Sequence, residues 1–416
     1  MVNEYIGTAK DNKKSAVHNW YKFTAGFSYK FVDMLVSEMQ HKPSCIYEPF
    51  AGCGTTLVEA QKLGIPSVGN ESQQLMCDII NAKLNWNIVR DEVVRNVSKI
   101  KEYMSNAQNI ISVTKDYHEL LMTLYDSETL KSIYLIRNAI RLLDSKEYRL
   151  FFDLALSQVL HKTALCSIAV PYIVRSKKLA NPGHAIERFE EILESMLRDI
   201  ENLPHHQRSA IVFKTDSRKK NENILDDSCD LCITSPPYLN NLDYGEVSKV
   251  HSHFFEYTKD WRDITEKIRH ELVTGSTTHY KDCDFNLTEF KKSNFAINNQ
   301  QIMNILLEKY EQIKSNSISR KGKKSFHILM MYYFKDMYHV LKEMRRVLRP
   351  GSKAYLILGD SAPYGVYVPT TQILGEIAQS VGFGDFRIYK IRKRGTKWNV
   401  KTRHNIDLAE NILELE

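Results

Sequence analysis

The stretch "CIYEPFAGCGTTLVEAQKLGIPSVGNE", residues 45–71, leaves the chain little choice of fold. "CIYEPF" reads as a short buried strand, "AGCGTT" as a tight turn, "LVEAQKLG" as a helix ending at Gly64, and "IPSVGNE" as a second strand. Strand, turn, helix and strand in so short a span make a βαβ unit, and a parallel sheet is its usual outcome. Gly52 and Gly54 fall where the strand must turn sharply into the helix, and glycine there lets the backbone approach a ligand closely. Leu57 stands where a dinucleotide site carries its third glycine, and no Gly-Lys-Ser/Thr follows as a phosphate loop requires. The turn suits an amino acid or a nucleoside better than a pyrophosphate.

Two acids extend this reading. Glu71 closes the second strand 17 positions after Gly54, near the ~20 at which an acidic residue holds ribose hydroxyls. An isolated Glu at a strand end is commonly a solvated charge, but behind this turn the ribose role is the expectation. Asp216, in "FKTDS", ends the next core strand and is placed to meet an adenine amino group, or else to cap an ordinary loop.

A third signal is "CDLCITSPPYLNNLDYG", residues 229–245. An apolar strand runs into Thr234-Ser235-Pro236-Pro237-Tyr238 and stops at two prolines. Strands of open α/β sheets present their C-terminal ends to ligands. Pro236 and Pro237 fix φ and remove two N–H donors from the corner, leaving carbonyls there free to accept hydrogen bonds. Ser235 adds a hydroxyl and Tyr238 an aromatic face, a pocket suited to a planar group carrying an amino donor. The bland alternative is a Pro-Pro turn with a buried tyrosine.

The rest of the chain divides by pattern. Residues 1–80 hold the turn, after an aromatic segment "HNWYKFTAGFSYK" and an amphipathic helix "FVDMLVSEMQ". Residues 81–205 carry apolar residues at helical spacing, as in "SETLKSIYLIRNAIRLL", and read as a large helical insertion. Sheet alternation resumes over 206–245, a polar and aromatic stretch with few strand signals fills 246–325, and core patterning returns over 326–416. This predicts one α/β core interrupted twice.

Composition narrows the function classes. Hydrophobic content of 43% and charged content of 26% suit a soluble globular protein. No apolar run approaches the roughly 20 residues that span a bilayer, and "MVNEYIGTAKDNKKSAVHNW" lacks a signal-peptide core, so a cytoplasmic location is expected. Seven scattered cysteines argue against a disulfide scaffold. Cys229-x-x-Cys232 has no second pair to complete a zinc site and reads as small buried side chains. His251-x-His253 offers two ligands at most, so no metal is expected. The net charge of +7 permits a polyanionic partner. It concentrates in 314–325 and in 387–404, where Tyr389 and Trp398 interleave with basic residues as phosphate-contacting surfaces do.

In combination these motifs resemble those of S-adenosylmethionine-dependent DNA amino-methyltransferases of restriction–modification systems. "EPFAGCGTT" resembles their cofactor motif, "TSPPY" their catalytic tetrapeptide with its preceding residue, and "HNWYKFTAGFSYKFV" the aromatic segment that covers the methionine end of the cofactor. "VLKEMRRVLRPGSKAYLILGDS" is similar to a later core helix and strand, and the likeness covers about half the chain. The resemblance implies a Rossmann-like methyltransferase fold with a mostly parallel sheet, broken by the helical insertion and by a second, irregular insertion; DNA recognition is expected from the helical insertion, from 246–325, or from a cleft shared by both. It implies S-adenosyl-L-methionine as cofactor, held by Phe27, Glu48, Pro49, Phe50, Gly52, Gly54, Thr55, Glu71 and Asp216. Ser235, Pro236, Pro237 and Tyr238 then form the catalytic corner. Double-stranded DNA is the implied partner of a monomeric enzyme, with a cognate restriction endonuclease as its companion.

Ser-Pro-Pro-Tyr is typical of the cytosine-N4 members, whereas adenine enzymes mostly begin the tetrapeptide with Asp or Asn. The cofactor motif precedes the catalytic one here, unlike the order in many cytosine-N4 enzymes. Methylation at ring carbon 5 uses a Pro-Cys nucleophile in its family, and none of the eleven prolines precedes a cysteine. The expected chemistry is therefore methyl transfer to the exocyclic N4 of a flipped cytosine. Ser235 and the Pro236 carbonyl accept hydrogen bonds from the amine, and Tyr238 stacks on the base. Alternatives are an adenine-N6 DNA enzyme, an RNA guanine-N2 enzyme, and an inactive cofactor-binding recognition subunit.

Overall fold

The computed structural model describes residues 6–23, 25–168, 172–178, 184–204, 209–319, 324–393 and 408–416. Its centre is a seven-stranded sheet. In chain order the strands are β1 (Ile46–Glu48), β2 (Ser67–Glu71), β3 (Ala210–Lys214), β4 (Cys229–Thr234), β5 (Leu348–Gly359), β6 (Phe386–Lys393) and β7 (Ala409–Leu415). They lie side by side as β3-β2-β1-β4-β5-β7-β6. The first five run parallel, in register through Ile46↔Ser67, Glu71↔Lys214, Ile46↔Leu231 and Thr234↔Leu356. β7 enters antiparallel between β5 and β6.

Side-chain alternation splits the sheet into two apolar faces. Ile46, Leu231, Ile233, Ile357 and Ile412 point into one core with Phe31, Val32 and Leu35 of helix α1 (Tyr29–Glu38). Tyr47, Cys232, Leu356, Leu358 and Leu413 point into the other. Parallel strands buried on both faces read as continuous apolar runs, as "LCIT" and "YLIL" do. Helix α2 (Thr55–Lys62) joins β1 to β2, and α3 (Gln74–Leu84) follows β2. α3 runs across position 81, where the helical insertion is expected to begin.

The first insertion is built from α4 (Arg90–Ser105), α5 (Ser127–Arg141), α6 (Lys146–Thr163) and α7 (Ala185–Glu201), with a small antiparallel ribbon of Cys166–Ser167 and Val174–Lys178. It does not stand apart from the sheet. Leu57, Ile79 and Ile80 of α2 and α3 share one apolar cluster with Phe151, Phe152 and Phe189 of the insertion.

The second insertion combines irregular turns with helices. It holds α8 (Tyr244–Phe254), several short turns, and α9 (Gln300–Ser317). Phe295, Leu306 and Ile313 of this region pack on Leu329, Phe334 and Leu341 of α10 (Phe326–Val347). Apart from α9, the helices of this region are short and separated by polar turns, so their period does not stand out. "DLAENILELE" also proved to contain a strand, β7. Its acids are buried and paired, Glu414 with Lys353 at 2.7 Å and Glu410 with Arg392 at 2.7 Å, which masks strand alternation in the sequence. α11 (Thr370–Ser380) completes the layers. No described helix is long and apolar enough to cross a membrane.

Candidate active site

The chain runs outward from β1 through β2 to β3, then returns to place β4 on the far side of β1. Ligands of open α/β sheets bind at such a reversal, beyond the carboxyl ends of the strands. A cleft opens there. Each of the first four strands delivers residues to it: Glu48, Glu71, Asp216 and Ser235 follow or end β1 to β4 in turn.

The glycine turn is shaped as its residues require. Gly52 has φ 54° and Gly54 φ 84°, both in the left-handed region. A Cβ on Gly52 would stand 3.3 Å from the Phe23 ring, and one on Gly54 would stand 3.0 Å from Ile80 Cγ1 of α3. Gly52 lines the cleft with Pro49, Phe50 and Thr55, whereas Gly54 lies behind it and serves the packing of α2 against α3. The aromatic segment folds over the same turn. Asn12 pins it by donating to the Phe27 carbonyl at 2.9 Å and accepting from Tyr29 N at 2.9 Å. Phe23 and Phe27 thereby border the cleft.

Two carboxyls in the cleft are raised by burial. Glu71 accepts from Gly52 N at 2.9 Å and from Gln73 N at 2.8 Å. Desolvation nevertheless lifts it to about 7 against those backbone bonds. Glu48 is 1% exposed, and its Oε2 has no hydrogen-bond partner among the described residues. Desolvation lifts Glu48 to about 8, with bonds from Thr56 opposing the rise. Asp216 lines the cleft too, but its carboxylate is taken by Arg218, whose Nε and Nη2 each donate to it at 2.9 Å.

At the Ser-Pro-Pro-Tyr corner, Ser235 and Pro237 line the cleft while Pro236 is buried beside it. Ser235 Oγ donates to the Ile357 carbonyl of β5 at 3.3 Å. That bond uses the hydroxyl proton and leaves the oxygen lone pairs to accept. Tyr238 lies outside the cleft lining and donates through Oη to Glu410 of β7 at 3.1 Å. Pattern reading missed Tyr244, Glu271, Leu272 and Val273, which also border the cleft. The "DYG" at 243–245 was the one sequence hint, since an Asp before a helical run is a capping signal. Burial lifts the Tyr244 hydroxyl to about 12, aided by the charge of Glu71.

The remaining candidates fall elsewhere. His251 is buried against the Ser157 carbonyl at 3.3 Å and depressed to about 4 by desolvation. His253 bonds Thr258 and stacks on His118 with centroids 4.2 Å apart. Among the described residues no cluster of three or more His, Cys, Asp or Glu could hold a metal ion. Cys229 has Cys45 as its near neighbour, with sulfurs 2.8 Å apart, rather than Cys232. Of the basic segments 314–325 and 387–404, residues 320–323 and 394–404, including Trp398, lie outside the described residues.

The strand order, the glycine turn after β1 and the cleft at the reversal define a Rossmann-like methyltransferase fold. No family model matches the chain. It is similar to Type II methyltransferase M.MvaI of Kocuria varians, 22% identical over 90% of this chain and 84% of the relative. It is likewise similar to Type II methyltransferase M.BsoBI of Geobacillus stearothermophilus, at 23% over 94% and 83% of the two chains. Type II methyltransferase M.AvaI of Anabaena variabilis is 25% identical over 92% of this chain and 82% of its own. Coverage this wide takes in both insertions as well as the sheet.

Proposed function

We propose that this chain is a site-specific DNA methyltransferase of a restriction–modification system, which moves a methyl group from S-adenosyl-L-methionine to N4 of cytosine. The observation that carries the reading is the Ser235 corner: a hydroxyl whose proton is spent on Ile357, beside carbonyls freed by proline, facing the same cleft as Glu48 and Glu71. The neighbouring Type II methyltransferases support the class, and the first letter of Ser-Pro-Pro-Tyr supports the base.

The residues present fit the methyl donor. The partnerless Oε2 of Glu48 is a buried acceptor suited to a cationic group. Glu71 would hold ribose hydroxyls, Phe27 and the turn from Pro49 to Thr55 would enclose the amino-acid end, and Asp216 would meet the adenine through the edge left by Arg218. When bound, the cofactor supplies an electrophilic methyl on a positively charged sulfur.

The chain's own part is to orient the acceptor. The exocyclic amine of cytosine is a weak nucleophile because its lone pair is delocalised into the ring. Ser235 Oγ and the Pro236 carbonyl accept its two N–H bonds, which favours a pyramidal nitrogen with its lone pair directed into the cleft. Both acceptors are neutral, so the proton released from nitrogen passes to solvent. Tyr238, steadied by Glu410, offers its ring to the extruded base. Proximity and fixed dipoles do most of the work, without a strong base.

Mass spectrometry of nucleosides from DNA incubated with the chain and labelled cofactor tests this directly. N4-methylcytosine is the expected product. N6-methyladenine in DNA, or N2-methylguanine when RNA is supplied, would overturn the base assignment, and cofactor binding with no product on mixed DNA would mark a recognition subunit.

A further inference from the structure

We propose that Tyr244 binds the nucleoside part of the methyl donor, and that residues 269–274 of the second insertion form the outer wall of that same site. This rests on the methyl-donor reading above. Tyr244 borders the cleft together with Leu272 and Val273. Its hydroxyl forms no hydrogen bond with a described residue and feels the charge of Glu71. An aromatic ring with a free donor beside a ribose-binding acid, next to two aliphatic side chains, is a surface for a planar base and its sugar.

Position on the sheet tells which end of the ligand this wall meets. The reacting end is marked by Ser235 and Pro237 after β4. The wall passes from there, where Gly275 lies against Pro237 and Tyr238, to the β3 side. Glu271 is ion-paired with Lys214, the last residue of β3. Thr274 donates through N and Oγ1 to Asp336 Oδ2 at 2.9 and 2.8 Å. Arg218 donates to the same oxygen at 3.1 Å, to Asp216 after β3, and to the His270 carbonyl at 2.7 Å.

The other end of the wall is locked to Tyr244 itself. Arg269 is 2% exposed and donates to Asp243 Oδ2 through Nη2 at 2.6 Å and Nε at 3.0 Å. Asp243 caps α8 by accepting from Gly245 N at 3.0 Å, so the clamp sets the first residue of that helix, Tyr244. Gly245 leaves room for this arrangement, since a Cβ there would stand 2.9 Å from Ile264 and 3.4 Å from Arg269 Cγ. A segment tied at both ends by buried charge is preorganised, as a binding wall must be. The second insertion is then part of the cofactor site as well as a candidate for DNA recognition.

Calorimetric titration of the full chain with S-adenosylmethionine, adenosine and methionine, each alone, tests this. Tyr244→Ala is expected to weaken S-adenosylmethionine and adenosine by about tenfold or more, with methionine binding unchanged. Arg269→Met, which touches no ligand, should shift adenosine in the same direction. If Tyr244→Ala does not retain a cooperative melt, Tyr244→Leu keeps apolar bulk and decides by the same readout. Unchanged affinity for S-adenosylmethionine and adenosine in a folded variant overturns the proposal, as does a rise confined to the KM for DNA. Failure of the unaltered chain to bind S-adenosylmethionine would instead strike the methyl-donor reading beneath it.

Discussion

The glycine turn after β1 and the wall from Arg269 to Thr274 border one cleft but are held by different forces. The turn is local: two left-handed glycines, a helix beginning at once, and Glu71 bonded to backbone N–H groups on either side. The wall depends on charged side chains far apart in sequence. Arg269 and Asp243 are separated by 26 positions, Thr274 and Asp336 by 62, and Arg218 and Asp336 by 118. A backbone-built site is specified wherever its short motif occurs. A side-chain-built site exists only once the whole fold has brought its ions together.

That contrast can be broken by experiment. The largest effect is expected from Arg269→Met, which takes the guanidinium from the buried Asp243, leaving it only the neutral donors Gly245 N, Glu246 N and Thr278 Oγ1 and a distant His279, and removes the cation over the Trp261 ring, 4.2 Å away. Urea unfolding should show a loss of about 3–5 kcal/mol, and the double variant with Asp243→Asn should regain most of it. Equal losses in the single and double variants would mean the clamp is not coupled. Gly54→Ala attacks the turn instead. Its φ of 84° and the 3.0 Å approach to Ile80 should together cost about 2 kcal/mol. A neutral outcome would show that the turn tolerates a side chain.

The third test is in pH. Burial holds Glu48 at about 8 and Glu71 at about 7, both above the carboxylate value in an unfolded chain. A cationic ligand favours ionised Glu48, so cofactor affinity should rise by about tenfold from pH 7 to pH 9. Stability of the free protein should move oppositely. Between the unfolded value near 4.5 and about 8, the folded state binds more protons than the unfolded one, so stability falls as pH rises through that window. Glu48→Gln should flatten its part of both profiles, leaving that of Glu71. A binding profile unchanged by the substitution would remove Glu48 as the cation's partner.

Legibility followed the same division. The strands β1, β2, β4 and β5 announced themselves because strands buried on both faces are apolar runs ending in turn residues. Glu71 could be found by its distance from Gly54 because the βαβ unit has a nearly fixed length. Tyr238 was placed in the pocket by its motif, yet its hydroxyl is bound to Glu410 of β7, a strand whose buried acids hid it. Asp216 was read from its strand end, but Arg218, two residues on, could not be ranked above any other loop arginine until Asp336 and Thr274 converged on it. Tyr244 could not be singled out because nothing near it in sequence names Glu71 as its neighbour.

By itself, the sequence determined the βαβ start, the shape of the ligand turn, and the acceptor character of the Ser235 corner. Those features depend on φ angles, missing N–H groups and spacing within a few residues. Tertiary structure alone decided which residues close the cleft, where Tyr238 is anchored, and that residues 271–273 of the second insertion line it. Those outcomes depend on ion pairs between distant segments, whose desolvation is offset only when the complete fold supplies both partners.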